Sequence, residues 1–147
     1  VLPFKHAGQW TGTMQVYSAD QQHQGEAELV IDYRPLDLLR AEVHVKLTGA
    51  AELDLRYVRA RNGTRHTFHG PDLYGNGMAY GRALYTSQHI AGTSTRIEGR
   101  EFIIDEDGSM SLVWHIHRHG NLDQVVFGPV RWTQGEQVLR ASYGLER

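Results

Sequence analysis

His115-Ile116-His117-Arg118-His119 carries three of the chain's nine histidines, placed at every second position. On an extended strand alternate side chains share a face, which puts these rings about 7 Å apart. Imidazoles at that spacing can ligate a metal ion, or can simply form the wet face of a strand. The opposite face of the stretch decides between them. Met110, Leu112, Trp114 and Ile116 form a continuous apolar row, so this row is expected inside and the histidines outside. The expectation is therefore no native metal site. The outward row is instead a solvated surface or a homodimer contact.

A second candidate for chemistry lies on the stretch Arg82 to Ile90. One face reads Ala83, Tyr85, Ser87, His89 and the other Arg82, Leu84, Thr86, Gln88, Ile90. Neither is clearly apolar, so one of them is expected to line a wet interior. Tyr85 and His89 share a face and would bracket a ligand, with His89 as acid or base near its free pKa of about 6.5. The competing reading is an exposed or hydrogen-bonded structural histidine. His66 shares a face with Phe68 and is expected to point inward, whereas His69 points the other way. The carboxylates Asp32, Asp54, Glu98, Glu101 and Asp105 fall mostly on wet faces or turns, so no acid pair for glycoside hydrolysis can be argued. No nucleophile elbow and no glycine-rich phosphate loop before a helix is present.

The elements that must hold these groups are strands. Ala27, Leu29, Ile31 and Tyr33 alternate with polar residues, as do Ala41, Val43, Val45 and Leu47, and Leu53, Leu55 and Tyr57. Asn62-Gly63 signals a hairpin, and Thr48-Gly49, Gly120-Asn121 and Gln134-Gly135 mark further turns. Pro35 to Leu39 allows at most one helical turn. Pro71 to Gly81, rich in glycine, reads as a mobile or tightly turned loop beside a binding site, or as a plain long connection. Strand candidates recur every 10 to 14 residues or so, about ten in all, as in an antiparallel barrel or sandwich.

Composition narrows the class. The chain of 147 residues fits a single domain, 1–147. Fifteen basic and seventeen acidic residues are well mixed, which argues against a nucleic-acid partner. No apolar run approaches the length of a membrane helix. The absence of cysteine excludes disulfides, thiolate zinc sites and cysteine nucleophiles, and agrees with a cytoplasmic location. Val1-Leu2-Pro3-Phe4-Lys5 lacks Met and an apolar signal core, so earlier residues are expected to have been removed or left out.

Gly8-Gln9-Trp10 opens the first strand, Trp10 to Ser18, and Arg140 lies on the last expected strand, Gln137 to Tyr143. In this the chain resembles the calycin superfamily, the up-and-down barrels of lipocalins and nitrobindin-like proteins. The resemblance implies an all-β, single antiparallel barrel of about 8–10 strands. It also implies that Trp10 and Arg140 pack together to close one end. It does not extend to a heme, because no histidine follows His119 to match the C-terminal heme ligand. The cupin metal motif, another H-x-H strand, needs a following Glu and a later His. Here Leu122, Asp123 and Gln124 stand where the Glu would fall. No cofactor is expected.

In such a barrel Tyr33, Tyr57, Arg59 and Arg118 sit on inward rows. Unpaired and buried, each charged tip would cost several kcal/mol, so they imply a wet mouth or a polar ligand rather than a solid core. The leading expectation is a barrel that binds a small hydrophobic or aromatic molecule with a polar end. Tyr57, Arg59, His66, Trp114 and Arg118 are its expected ligand-binding residues. The first alternative is a cofactor-independent isomerase, cyclase or hydratase of secondary metabolism using Tyr85 and His89. The second is a filled-barrel interaction domain.

Overall fold

The computed structural model describes residues 7–105 and 108–134. Within them lie ten strands and no helix: β1 Gly8–Ser18, β2 His23–Pro35, β3 Arg40–Gly49, β4 Leu53–Asn62, β5 Arg65–His69, β6 Leu73–Tyr80, β7 Ala83–Ile90, β8 Arg96–Asp105, β9 Ser109–Arg118 and β10 Asn121–Gln134. Each strand pairs antiparallel with its chain neighbours, and β1 pairs with β10 to close the barrel. Closure leaves no sheet edge exposed. The expected all-β up-and-down barrel is therefore the observed fold.

Burial follows the predicted period of two. Along β2 the residues Ala27, Leu29, Ile31 and Tyr33 are buried while Glu26, Glu28, Asp32 and Arg34 are exposed. The inner faces meet in one apolar core in which Met14, Leu29, Ile31, Leu47, Leu73, Ile97, Leu112 and Ile116 are fully buried. Each such side chain contributes roughly 1.5–3 kcal/mol of hydrophobic stabilisation. Trp114 and Ile116 are buried and His115 is exposed, so the histidine row of β9 points outward as expected.

The turns obey local sterics. His119 and Gly120, at φ 54° and 82°, form the two-residue link between β9 and β10, the left-handed pair a tight hairpin requires. The β4–β5 turn is centred on Gly63-Thr64, one residue later than the Asn62-Gly63 signal, because Asn62 still pairs with Arg65. Pro35 ends β2, and Leu36 to Leu39 form bends rather than the helical turn allowed for Pro35 to Leu39. The Asp37 carboxylate there accepts hydrogen bonds from the backbone N–H groups of Leu39 and Arg40 at 2.9 and 2.8 Å.

One expectation is corrected. The glycine-rich stretch 71–81 is not a loop, since most of it is β6, paired with both β5 and β7. Its glycines serve close approach. A Cβ on Gly75 would lie 2.1 Å from the Ser87 carbonyl oxygen and 2.8 Å from Gln88 Cα. Only a residue without a side chain lets the two strands come so near.

The barrel has two unlike ends. The Trp10 end gathers the start of β1, the end of β10 and the β2–β3, β4–β5, β6–β7 and β8–β9 connections. The Arg118 end gathers the β1–β2, β3–β4, β5–β6, β7–β8 and β9–β10 connections. Trp10 is buried as expected, and Trp132 Nε1 donates to the Ala7 carbonyl at 2.9 Å, fastening this end. Arg140 and the expected strand Gln137 to Tyr143 lie outside the described residues, as does the Gly135 half of the Gln134-Gly135 turn.

Candidate functional site

Arg59 lies on the inward row of β4, after Leu55 and Tyr57 and beside the small, fully buried Ala41 of β3. Its guanidinium organises a polar cluster inside the Trp10 end. Nε donates to Nδ1 of His66 on β5 at 3.1 Å, and Nη1 donates to the Tyr33 hydroxyl on β2 at 3.1 Å. The guanidinium carbon is 5.6 Å from the Tyr33 ring centroid. Across the lumen, Glu101 of β8 places Oε2 4.0 Å from Arg59 Nη1. The two side chains are only 14% and 18% exposed, so this charge pair is largely removed from water. Among the described residues no hydrogen bond reaches the Glu101 carboxylate or Arg59 Nη2.

Electrostatics fix the protonation of the cluster. Burial, then the Arg59 and Arg61 charges, pulls the His66 pKa down to about 4. The hydrogen bond agrees, because an Nδ1 that accepts from Arg59 has no proton, leaving a neutral ring protonated on Nε2. Burial likewise pushes the Tyr57 phenol up to about 12, and drives Tyr33 well above the ordinary phenol range with help from Glu101. Both tyrosines therefore stay neutral hydroxyls. Burial alone would lower the Arg59 pKa, but Tyr33, Glu101 and Tyr57 outweigh it and the guanidinium stays charged.

Apolar walls complete the surroundings. Tyr57 meets Phe68 edge-on at 5.6 Å between ring centres, and its hydroxyl is served by the side chain of buried Gln88. Trp114 is buried on β9, and a Cβ on Gly99 would come within 3.0 Å of its indole. The rim of this end is greasy, with Leu38 60%, Tyr80 80% and Phe102 45% exposed. These exposed apolar residues stand at the same end of the barrel as the buried polar cluster.

Four of the five expected ligand-binding residues, Tyr57, Arg59, His66 and Trp114, project into the barrel. Tyr57, Arg59 and His66 belong to the cluster. Arg118 is at the other end, paired with Asp123 and hydrogen-bonded to the Gln124 side chain at 3.1 Å. The placement of Tyr85 and His89 corrects the expected interior pair. Tyr85 is 51% exposed, and His89 stacks on exposed Tyr74 at 5.1 Å on the outer wall. The inner face of β7 is the other one, carrying Leu84, Thr86 and Gln88. Strand β7 has no apolar contrast between its faces, so the packing of β6 and β8 decides which turns inward. Among the described residues no group of three His, Cys, Asp or Glu side chains is placed to hold a metal ion.

Glu101 and Gln88 are the members that the pattern did not mark. Glu101 shares parity with buried Ile97 on β8, a weak signal that was available.

No protein-family model and no curated protein matches this sequence. Solved structures do match. A protein of unknown function of the DUF3598 family from Nostoc punctiforme superposes with a TM-score of 0.74 at 11% identity, over 90% of this chain and 49% of that one. This chain thus spans about half the length of that protein. The S-type phycobiliprotein lyase from Guillardia theta superposes with a TM-score of 0.67 at 8% identity, over 90% of this chain and 92% of that one. At such identities the likeness is one of fold alone. Among the described residues no helix is long and apolar enough to cross a membrane.

Proposed function

We propose that this barrel binds a small hydrophobic or aromatic molecule through its Trp10 end and holds the molecule's polar end at Arg59 and His66. The carrying observation is the buried Arg59–His66–Tyr33 cluster with an unbonded Glu101 carboxylate opposite. A barrel that only needed a filled core would gain from apolar residues here, since an enclosed charge pair is rarely the more stable choice. Tyr57 and Trp114 would flank the apolar body of the ligand. The activity of the phycobiliprotein lyase is not carried over, because fold likeness alone does not transfer chemistry. The isomerase, cyclase or hydratase reading loses support with Tyr85 and His89 on the outer wall.

Native mass spectrometry of the purified protein tests the binding reading. The expected result is a small-molecule adduct that survives gentle ionisation and is absent from a folded Arg59→Ala variant. An adduct retained in that variant would move the site elsewhere. A bare protein mass, with no binding in a screen of aromatic compounds, would favour the filled interaction domain.

A further inference from the structure

The charges of the Trp10 end say more about the ligand than its apolar walls do. Arg59 contributes one positive charge and Glu101 one negative charge, on opposite sides of the lumen at 4.0 Å. His66 is neutral, because Arg59 donates to its Nδ1. Tyr33 and Tyr57 are neutral phenols. The cluster as a whole is balanced.

Its hydrogen-bonding capacity is not used up. Nε and Nη1 of Arg59 are committed to His66 and Tyr33, whereas Nη2 has no partner among the described residues. The Glu101 carboxylate likewise accepts from none of them, and 4.0 Å is too long for a direct bond from Arg59. At 18% exposure the carboxylate keeps some contact with water and has acceptor capacity left for a further donor. The gap thus presents a donor and an acceptor side by side.

We infer that the polar end of the ligand is a neutral group that both accepts and donates, such as an amide, lactam or hydroxyl. This rests on the reading of the barrel as a small-molecule binder. The carbonyl or hydroxyl oxygen accepts from Arg59, and the N–H or O–H of the same group donates to Glu101. A carboxylate would satisfy Arg59 but face Glu101, leaving a net negative charge in a shielded space. An ammonium would satisfy Glu101 but face Arg59. Either ion carries a desolvation cost the cluster cannot balance. Specificity arises here from repulsion of the wrong charge as much as from attraction of the right group.

A matched series on one ring tests this. The probes are 2-naphthamide, 2-naphthoate, (2-naphthyl)methylammonium and naphthalene, titrated calorimetrically near pH 7 into the wild type, Glu101→Gln and Glu98→Gln. Glu98 is the control, a solvent-facing carboxylate on the same strand that pairs with Arg96 at 3.2 Å. The wild type should bind the amide about tenfold or more tightly than either ion. Glu101→Gln removes the opposing charge and should raise naphthoate affinity about tenfold, with Glu98→Gln changing it by less than about twofold. Naphthoate binding as tightly as the amide in the wild type, or indifferent to Glu101→Gln, would overturn the neutral-end inference while leaving the binding barrel intact. Failure of all four probes to bind would instead count against the binding barrel, and the inference would fall with it.

Discussion

Each end of the barrel holds an arginine on an inward-facing strand row, and the two arginines live in different media. At the Trp10 end Arg59 is 14% exposed, bonded to His66 and Tyr33 and facing Glu101. At the Arg118 end the Arg118–Asp123 pair is 33% and 52% exposed. The same residue type is thus a buried organiser at one end and a solvated surface charge at the other. The rims differ in the same sense. Leu36, Leu38, Leu39, Tyr80, Phe102 and Ile103 are exposed around the first, beside charged Asp37, Arg40 and Arg82, whereas the turns of the second carry Asp20, Glu52 and short polar residues, with Tyr74 as its exposed aromatic. On the binding reading proposed above, the entrance for an apolar molecule is the end where exposed apolar residues and the buried polar cluster coincide.

The contrast is sharpest in stability. Arg59→Ala strips a largely buried carboxylate and two hydrogen-bonding groups of their partner, and should cost about 3 kcal/mol in urea denaturation. A loss below about 1 kcal/mol would mean that Arg59 is solvated after all, and the two ends alike.

The pH response comes next. The folded His66 pKa near 4 lies below its ordinary 6.5, so above about pH 6.5 the ring is neutral in both states and has no effect. Between there and about pH 4 the unfolded chain takes up a proton that folded His66 refuses, and stability falls. Because the ring is buried, the loss attributable to it is on the order of 2 kcal/mol near pH 4.5. Comparing urea midpoints near pH 7.5 and pH 4.5 for wild type and His66→Gln isolates it. An unchanged pH slope in the variant would show that His66 titrates normally.

Tyr33→Phe removes only the hydroxyl that accepts from Arg59 and should cost about 1 kcal/mol. The smallest effect belongs to the other end. Arg118→Ala breaks an exposed pair and should change stability by less than about 1 kcal/mol. A larger loss there would make the Arg118 end a second buried site and erase the comparison.

How far these features could be read in the chain depends on contrast. Strands β2, β3 and β9 alternate cleanly between apolar and polar residues, so the inward placement of Tyr33, Ala41 and Trp114 and the outward placement of His115 follow from period alone. The same pattern carried Tyr57 and Arg59 inward at the end of β4. Strand β7 offers no such contrast, and its interior face carries Leu84, Thr86 and Gln88 rather than Tyr85 and His89. The glycines of β6 were equally ambiguous, since glycine serves a turn and a close strand contact alike.

The sequence by itself determined the strand periodicity, the outward histidine row of β9 and the inward polar tips of β4. These are local properties, set by steric alternation along a single strand. Only the tertiary structure decided that Glu101 faces Arg59, that Arg118 stands at the opposite end, and which face of β7 turns inward. Those facts depend on barrel closure and strand register, which bring β8 across the lumen from β4. Partners across a lumen are chosen by the geometry of the whole ring of strands, and no window along one strand contains that geometry.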